Sequence, residues 1–100
     1  MPMTFTDPNI SIAPQLSGIY RLYRRDKLIY IGKAAGATST IRSRLQDHKA
    51  GREGQCTAHA TEFDFEVNAA PEAREEELLL AFTLFHGGRL PRCNEIMPTA

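Results

Sequence analysis

The side chains with the most chemical reach in this chain fall in an ordered series. Tyr20 and Tyr30 stand ten residues apart, Lys33 follows, Arg44 and His48 are four apart, and Glu75, Glu76 and Glu77 precede a late Asn94. Hydrolysis of a phosphodiester would need such groups: a deprotonated water, charge stabilisation on the phosphoryl oxygens and help for the leaving oxygen. An arginine, always protonated and forked, supplies the second, and one carboxylate with waters suits a hard cation such as Mg²⁺ or Mn²⁺. A tyrosine with a pKa of about 10 is a poor base unless neighbours lower it, as a lysine and a metal ion together would do. A single carboxylate implies a single ion, because two-metal clamps draw on several acidic ligands. Taken one at a time, these residues have plainer readings: strand tyrosines pack, helix arginines are solvated, glutamates favour helix N-termini and asparagines bond loops.

The elements that must position them can be read from periodicity. Ile19–Tyr23 and Leu28–Ile31 are rich in β-branched and aromatic residues, and the polar run Arg24–Lys27 between them is competent to turn, which predicts an antiparallel hairpin. Gly32 and Gly36 end the strand period. Ser39 or Thr40 can then cap a helix that places Ile41 and Leu45 four apart, runs to about Lys49 and stops at Gly51. Arg44 and His48 share a face of it. Gly51–Ala60 reads as loop, Thr61–Val67 alternates as a half-buried third strand, and Pro71 opens a helix running to about His86 with Gly87-Gly88 behind it. At 100° per residue, Glu75 shares a stripe with Leu78, Leu79, Phe82 and Phe85 and is the carboxylate expected to face the sheet. Glu77 is the alternative, and Glu76 is the one expected in solvent.

One hundred residues with 42% hydrophobic content suit a single core. Met1–Leu16, with three prolines and no sustained period, reads as a loose N-terminal arm, leaving 17–100 as the domain. The absence of a long apolar run or a signal-like N-terminus points to a cytoplasmic protein. In that compartment Cys56 and Cys93 are expected as free thiols, while a zinc set of Cys56, His59, His86 and Cys93 departs from the usual paired spacing. The net charge of zero conceals an asymmetry. Arg21–Arg52 holds nine basic and two acidic side chains, and from Glu53 onward there are three basic and nine acidic. The stretch that carries the tyrosines therefore also carries the positive field, for which a phosphate backbone is the most general partner.

Gly18-Ile19-Tyr20, Tyr30-Ile31-Gly32-Lys33, the helical Ile41-Arg42-Ser43-Arg44-Leu45, a glutamate on a second helix and Pro91-x-x-Asn94 occur in that order. In this order the chain resembles the GIY-YIG nuclease family, which includes the nuclease domain of the bacterial excision-repair incision subunit, phage homing endonucleases and some restriction enzymes. The resemblance spans about Leu16 to Glu95. It implies an α/β (α+β) fold, a small three-stranded antiparallel sheet flanked by helices, in a stand-alone single-domain member.

The resemblance further implies that Tyr20 and Tyr30 are the active-site tyrosines, one hydroxyl helping to activate water, and that Arg44 contacts the scissile phosphate. Glu75 would hold one Mg²⁺ or Mn²⁺ and Asn94 would support the site, while Lys33 and His48 match positions used for phosphate contact or proton handling. The implied activity is metal-dependent hydrolysis of DNA in repair or recombination. Its partners would be branched, nicked or damaged DNA and a protein supplying specificity. A second reading keeps the fold as a catalytically silent module that binds nucleic acid or protein. The chain departs from the family in a longer link between Lys33 and Arg44 and an insertion around His86-Gly87-Gly88.

Overall fold

The N-terminal stretch is structured, which corrects the expectation of a loose arm. In a computed structural model that describes residues 2–95, β1 (Met3–Thr4) is followed by α1 (Asp7–Ile10), whose first turn is capped by the Thr6 hydroxyl. Residues 96–100 of the expected domain lie outside the described residues. Phe5, Ile10 and Ala13 are buried in the main core, with Phe5 edge-on to Phe63. Two residues of strand offer no period to read, and burial of three apolar side chains is what holds the segment down.

β2 (Gly18–Arg24) and β3 (Lys27–Ala34) form the expected hairpin. Arg25 and Asp26 both adopt positive φ, which gives a two-residue turn whose twist matches that of the strands. β4 (Glu62–Val67) pairs with the other side of β2, and β1 adds to β4 through Met3 opposite Phe63. The sheet is therefore four-stranded and antiparallel in the order β1-β4-β2-β3, not three-stranded. Helices cover it: α2 (Ile41–Lys49), the short α3 (Gln55–Ala58) inside the expected loop, and α4 (Pro71–Phe85).

Alternation along β2 decides which helix lies where. Gly18, Tyr20 and Leu22 face α2, where Ile41 and Leu45 join their cluster. Arg21 and Ile31 sit opposite each other on the other face, beside Leu78 and Phe82 of α4. The N-terminal stretch also fixes α2. Its first amides are taken by carbonyls of that stretch, Ile41 donating to Leu16 and Arg42 to Pro14, and the Thr40 hydroxyl with Ser43 completes a capping box. No helix among the described residues is long and apolar enough to cross a membrane.

Cys56 and Cys93, expected as free thiols, are joined by a disulfide. The pairing also removes both thiolates from the zinc alternative. It ties α3 to the segment after α4, closing a loop with a sequence separation of 37. In the chain-entropy account, such a loop stabilises the fold by about 4 kcal/mol. Urea unfolding with and without reductant should therefore show a shift of about that size. Cys56→Ser/Cys93→Ser should match the reduced protein, and an unmoved midpoint would contradict the account.

Candidate active site

The centre of the candidate site is a buried row of polar aromatics. Tyr20 lies opposite Gly32 and Leu22 opposite Tyr30, so both tyrosine rings project from neighbouring strands onto the α2 side, 6.1 Å apart between centroids. His48 stacks at an angle against both, at 5.4 and 5.0 Å. Glycine at position 32 is a steric requirement: a Cβ there would come within 2.5 Å of the Tyr20 ring and 2.6 Å of Tyr30. Gly18 is equally constrained, because a Cβ would collide with the Glu66 carbonyl and approach Ile41 to 2.8 Å.

Tyr20 is fully buried, and its hydroxyl lies 2.8 Å from Nε2 of His48. Nδ1 of the same ring lies 2.7 Å from the Thr57 hydroxyl on α3. Burial pushes the Tyr20 phenol well above its usual pKa, an effect reinforced by Tyr30 beside it. Tyr20 therefore keeps its proton, and Tyr30 and Arg44 also act on its hydroxyl. A neutral imidazole donates through one nitrogen and accepts through the other, so Tyr20, His48 and Thr57 form one continuous hydrogen-bonded chain. Burial, followed by the nearby positive charge of Arg44, lowers the His48 pKa to about 4, so the ring is neutral at pH 7.

His48 thus presents no free nitrogen to a phosphate, and Tyr20 presents no accessible oxygen. Tyr20 lies behind the half-buried Tyr30, and Tyr30 and the edge of His48 line a cavity of about 530 Å³ with Glu53, Glu75, Leu79 and Asn94. Tyr30 too has its pKa raised, by burial and then by the negative charge of Glu75. The positive charge that lowers it is that of Arg44 rather than Lys33, and desolvation outweighs it.

Glu75 is the inward carboxylate, although Phe85, expected on the same stripe, is exposed at the helix end. Glu75 and Leu79 are buried, and the Glu75 carboxylate stands 3.9 Å from Nζ of Lys33. Burial raises its pKa against the pull of Lys33. It makes no hydrogen bond among the described residues, so its oxygens open onto the cavity. Glu77, and not Glu76 as expected, is the exposed carboxylate: Glu76 is half-buried, while Glu77 is paired with Arg74, which also bonds Glu66. No group of three or more His, Cys, Asp or Glu suited to a metal occurs among the described residues. A cation at Glu75 would complete its shell with water and substrate oxygens, which a hard ion such as Mg²⁺ accepts.

Arg44 is already engaged. Its fork bonds Asp47 at 3.1 Å and Glu53 at 2.6 Å. Glu53 lines the cavity, so it stands where the arginine meets the open space. Asn94 forms two bonds with one residue of β3: the Ile31 amide donates to its Oδ1 at 3.0 Å, and its Nδ2 donates to the Ile31 carbonyl at 2.9 Å. The structure therefore brings Tyr30, His48, Glu75 and Asn94 to the lining of the cavity, with Lys33 beside Glu75, Arg44 joined to the lining through Glu53 and Tyr20 behind. Comparison with family models, curated proteins and solved structures finds no match.

Thr57 and Glu53 escaped the sequence reading. Nothing in the local sequence marks Thr57, whose role depends on the four-residue α3 meeting α2, and Glu53 looks like any charged residue in a glycine-flanked loop.

The depressed pKa of His48 makes a signed prediction. The unfolded chain takes up a proton near pH 6.5, the folded one only near 4, so the contribution is complete above about 6.5 and lost as pH falls towards 4. On the order of 3 kcal/mol of stability should disappear across that window. Unfolding free energies measured from pH 7 to 4 should fall in the wild type and fall much less in His48→Gln; parallel curves would contradict the assignment.

Proposed function

We propose that the chain is an endonuclease that hydrolyses DNA phosphodiester bonds, using one divalent cation held by Glu75. The observation that carries this reading is the buried Glu75 carboxylate, without a hydrogen bond among the described residues, opening onto a cavity beside Tyr30 whose lining residue Glu53 is bonded to Arg44. The reading draws further support from the ordered motif elements and the basic character of the hairpin and α2.

In the reaction, the oxygen of a water forms a bond to phosphorus while the bond to the leaving oxygen breaks; the water gives up a proton and the leaving oxygen gains one. Tyr30 orients the water through its hydroxyl, and the Tyr20–His48–Thr57 chain keeps the Tyr30 ring in place. Arg44 pairs with the phosphoryl oxygens after exchanging Glu53 for the phosphate. Lys33 adds positive charge and offsets that of Glu75. A divalent cation, when bound, supplies Lewis-acid polarisation of the phosphodiester. Because burial raises the Glu75 pKa, cation binding must displace a proton from a fraction of the molecules as pH falls, and activity should decline on the acid side.

A second reading, a module that binds branched or damaged nucleic acid without cutting it, is favoured by one observation: Arg44 is held by two carboxylates. It would use the same basic surface, including Arg24, Arg25 and Lys27 at the hairpin tip, which form no ion pair among the described residues.

Flap, nicked and supercoiled DNA incubated with Mg²⁺ or Mn²⁺ separates these readings. The wild type should cleave, and Arg44→Ala and Glu75→Ala should each lose roughly 10²- to 10³-fold in rate. Equal cleavage by all three proteins would sink the nuclease assignment, and salt-sensitive binding without cleavage would establish the second reading. Releasing the arginine by Glu53→Gln should tighten DNA binding severalfold, read by fluorescence anisotropy at fixed salt. No change would show that Glu53 does not compete with phosphate.

A further inference from the structure

A second pocket, of about 200 Å³, adjoins the cavity at the Cys56–Cys93 disulfide. Gln55 and both cysteines line both spaces, so the bridge is a shared wall. The charges on either side of it are opposite. Glu53, Glu75 and Glu95 line the cavity, whereas Arg24, His59 and Arg92 line the pocket, with no carboxylate among the described residues there. Three separate stretches bring these side chains together: Arg24 ends β2, His59 follows α3 and Arg92 lies on the segment after α4.

Neither Arg24 nor Arg92 forms an ion pair among the described residues, in contrast to Arg21, Arg44, Arg52 and Arg74. Two like charges lining one small volume repel each other, and an anion between them replaces that repulsion with two attractions. The volume falls below the roughly 300–1,000 Å³ of sites for larger organic ligands, so a single small anion fits and a nucleoside does not. Phosphate matches the donors best. Two guanidinium forks, the Gln55 amide and the His59 ring offer more donors than the two oxygens of a carboxylate can use, and a tetrahedral phosphate has the oxygens and the charge to meet them.

We propose that this pocket binds a phosphate group. In a clause that rests on the endonuclease reading, the phosphate belongs to the backbone of the bound strand and neighbours the scissile one. The carboxylates of the cavity draw in a cation rather than a strand, and the positive pocket across the bridge supplies the anchor that the cavity lacks. Its frame is held without any ligand. The disulfide joins α3 to the segment carrying Arg92, and the Cys93 amide donates at 2.7 Å to the carbonyl of Ile29, whose buried side chain also lines the pocket. On the other side, the Thr61 amide donates at 2.7 Å to the carbonyl of Tyr23, next to Arg24. Donors fixed in this way lose little freedom when an anion arrives.

Inorganic phosphate titrated into the full chain at fixed ionic strength, followed by ¹H–¹⁵N NMR, tests the pocket without DNA. The largest shifts should fall on the amides of residues 55–59 and 92–94, and Arg24→Gln and Arg92→Gln should each weaken the affinity roughly tenfold. Arg89→Gln, an equal change of charge at an exposed position outside the pocket, should leave it unmoved. Amides that do not respond, or an Arg89→Gln that weakens binding as much as Arg92→Gln, would overturn the proposal. Nicked DNA then separates the two sources of phosphate. If the strand supplies it, Arg24→Gln/Arg92→Gln should lower the slope of log affinity against log salt by about 0.9, the share of one phosphate, and inorganic phosphate should compete with DNA for the wild type alone. An unchanged slope would overturn the strand as the source and leave free phosphate as the ligand. A wild type that neither binds nor cleaves DNA would sink the endonuclease reading while its phosphate titration still decides the pocket, and cleavage without a phosphate response would do the reverse.

Discussion

Much of this structure follows from one constraint: a tyrosine and a histidine are packed side by side in the core with every polar atom engaged. Burying the Tyr20 hydroxyl and the His48 ring unpaired would cost several kcal/mol, so each must find a partner inside. The His48 ring bridges Tyr20 and Thr57, and that requirement reaches outward. It needs the absence of a side chain at position 32, α2 held at its N-terminus by the carbonyls of Pro14 and Leu16, and α3 held against α2 so that Thr57 is in reach. The disulfide at Cys56, the residue before Thr57, anchors that last member to the far end of the chain. The result is a rigid wall against which Tyr30 rests, half of its ring in the protein and its edge on the cavity.

Electrostatically, the site region is balanced within itself. Arg21 is matched by Asp64, Arg44 by Asp47 and Glu53, Arg52 by Asp47 and Lys33 by Glu75. Around the cavity the basic side chains therefore do not act as a bare positive surface, whereas Arg24, Arg25 and Lys27 at the hairpin tip form no ion pair among the described residues. A polyanion approaching the cavity exchanges one set of carboxylates for its own phosphates, and what it gains is the difference between two ion pairs rather than the whole of one. Specific geometry at the rim then matters more than total charge.

Local signals in the sequence were strong where one element could satisfy itself. The hairpin is written in alternating β-branched and aromatic residues around a charged turn, α2 in the Thr40 cap and the spacing of Ile41 and Leu45, and the inward orientation of Glu75 in its shared stripe with Leu79. The features that stayed hidden depend on partners far away in sequence. Met3 and Thr4 become a strand only because β4 offers an edge, and the prolines around them suggest looseness more strongly than two residues can suggest pairing. Thr57 acquires its role from His48, and Glu53 acquires its own from Arg44. Cys56 and Cys93 meet only after the chain has wrapped around the edge of β3, which no spacing rule reveals. The Tyr20 environment was also illegible: a tyrosine on a strand can be a surface anchor or a core residue, and three-dimensional burial decides the direction of its pKa.

The pairing of Asn94 with Ile31 has a consequence for solubility. β3 is an outer strand, and an outer strand with free amides and carbonyls is a template on which another chain can add. Asn94 occupies both backbone groups of Ile31, and the Cys93 amide takes the Ile29 carbonyl. With these positions filled, an incoming strand finds no continuous ladder there, so the sheet has a built-in stop against edge-to-edge growth. One asparagine thus serves as a guard against aggregation as well as a brace for the cavity.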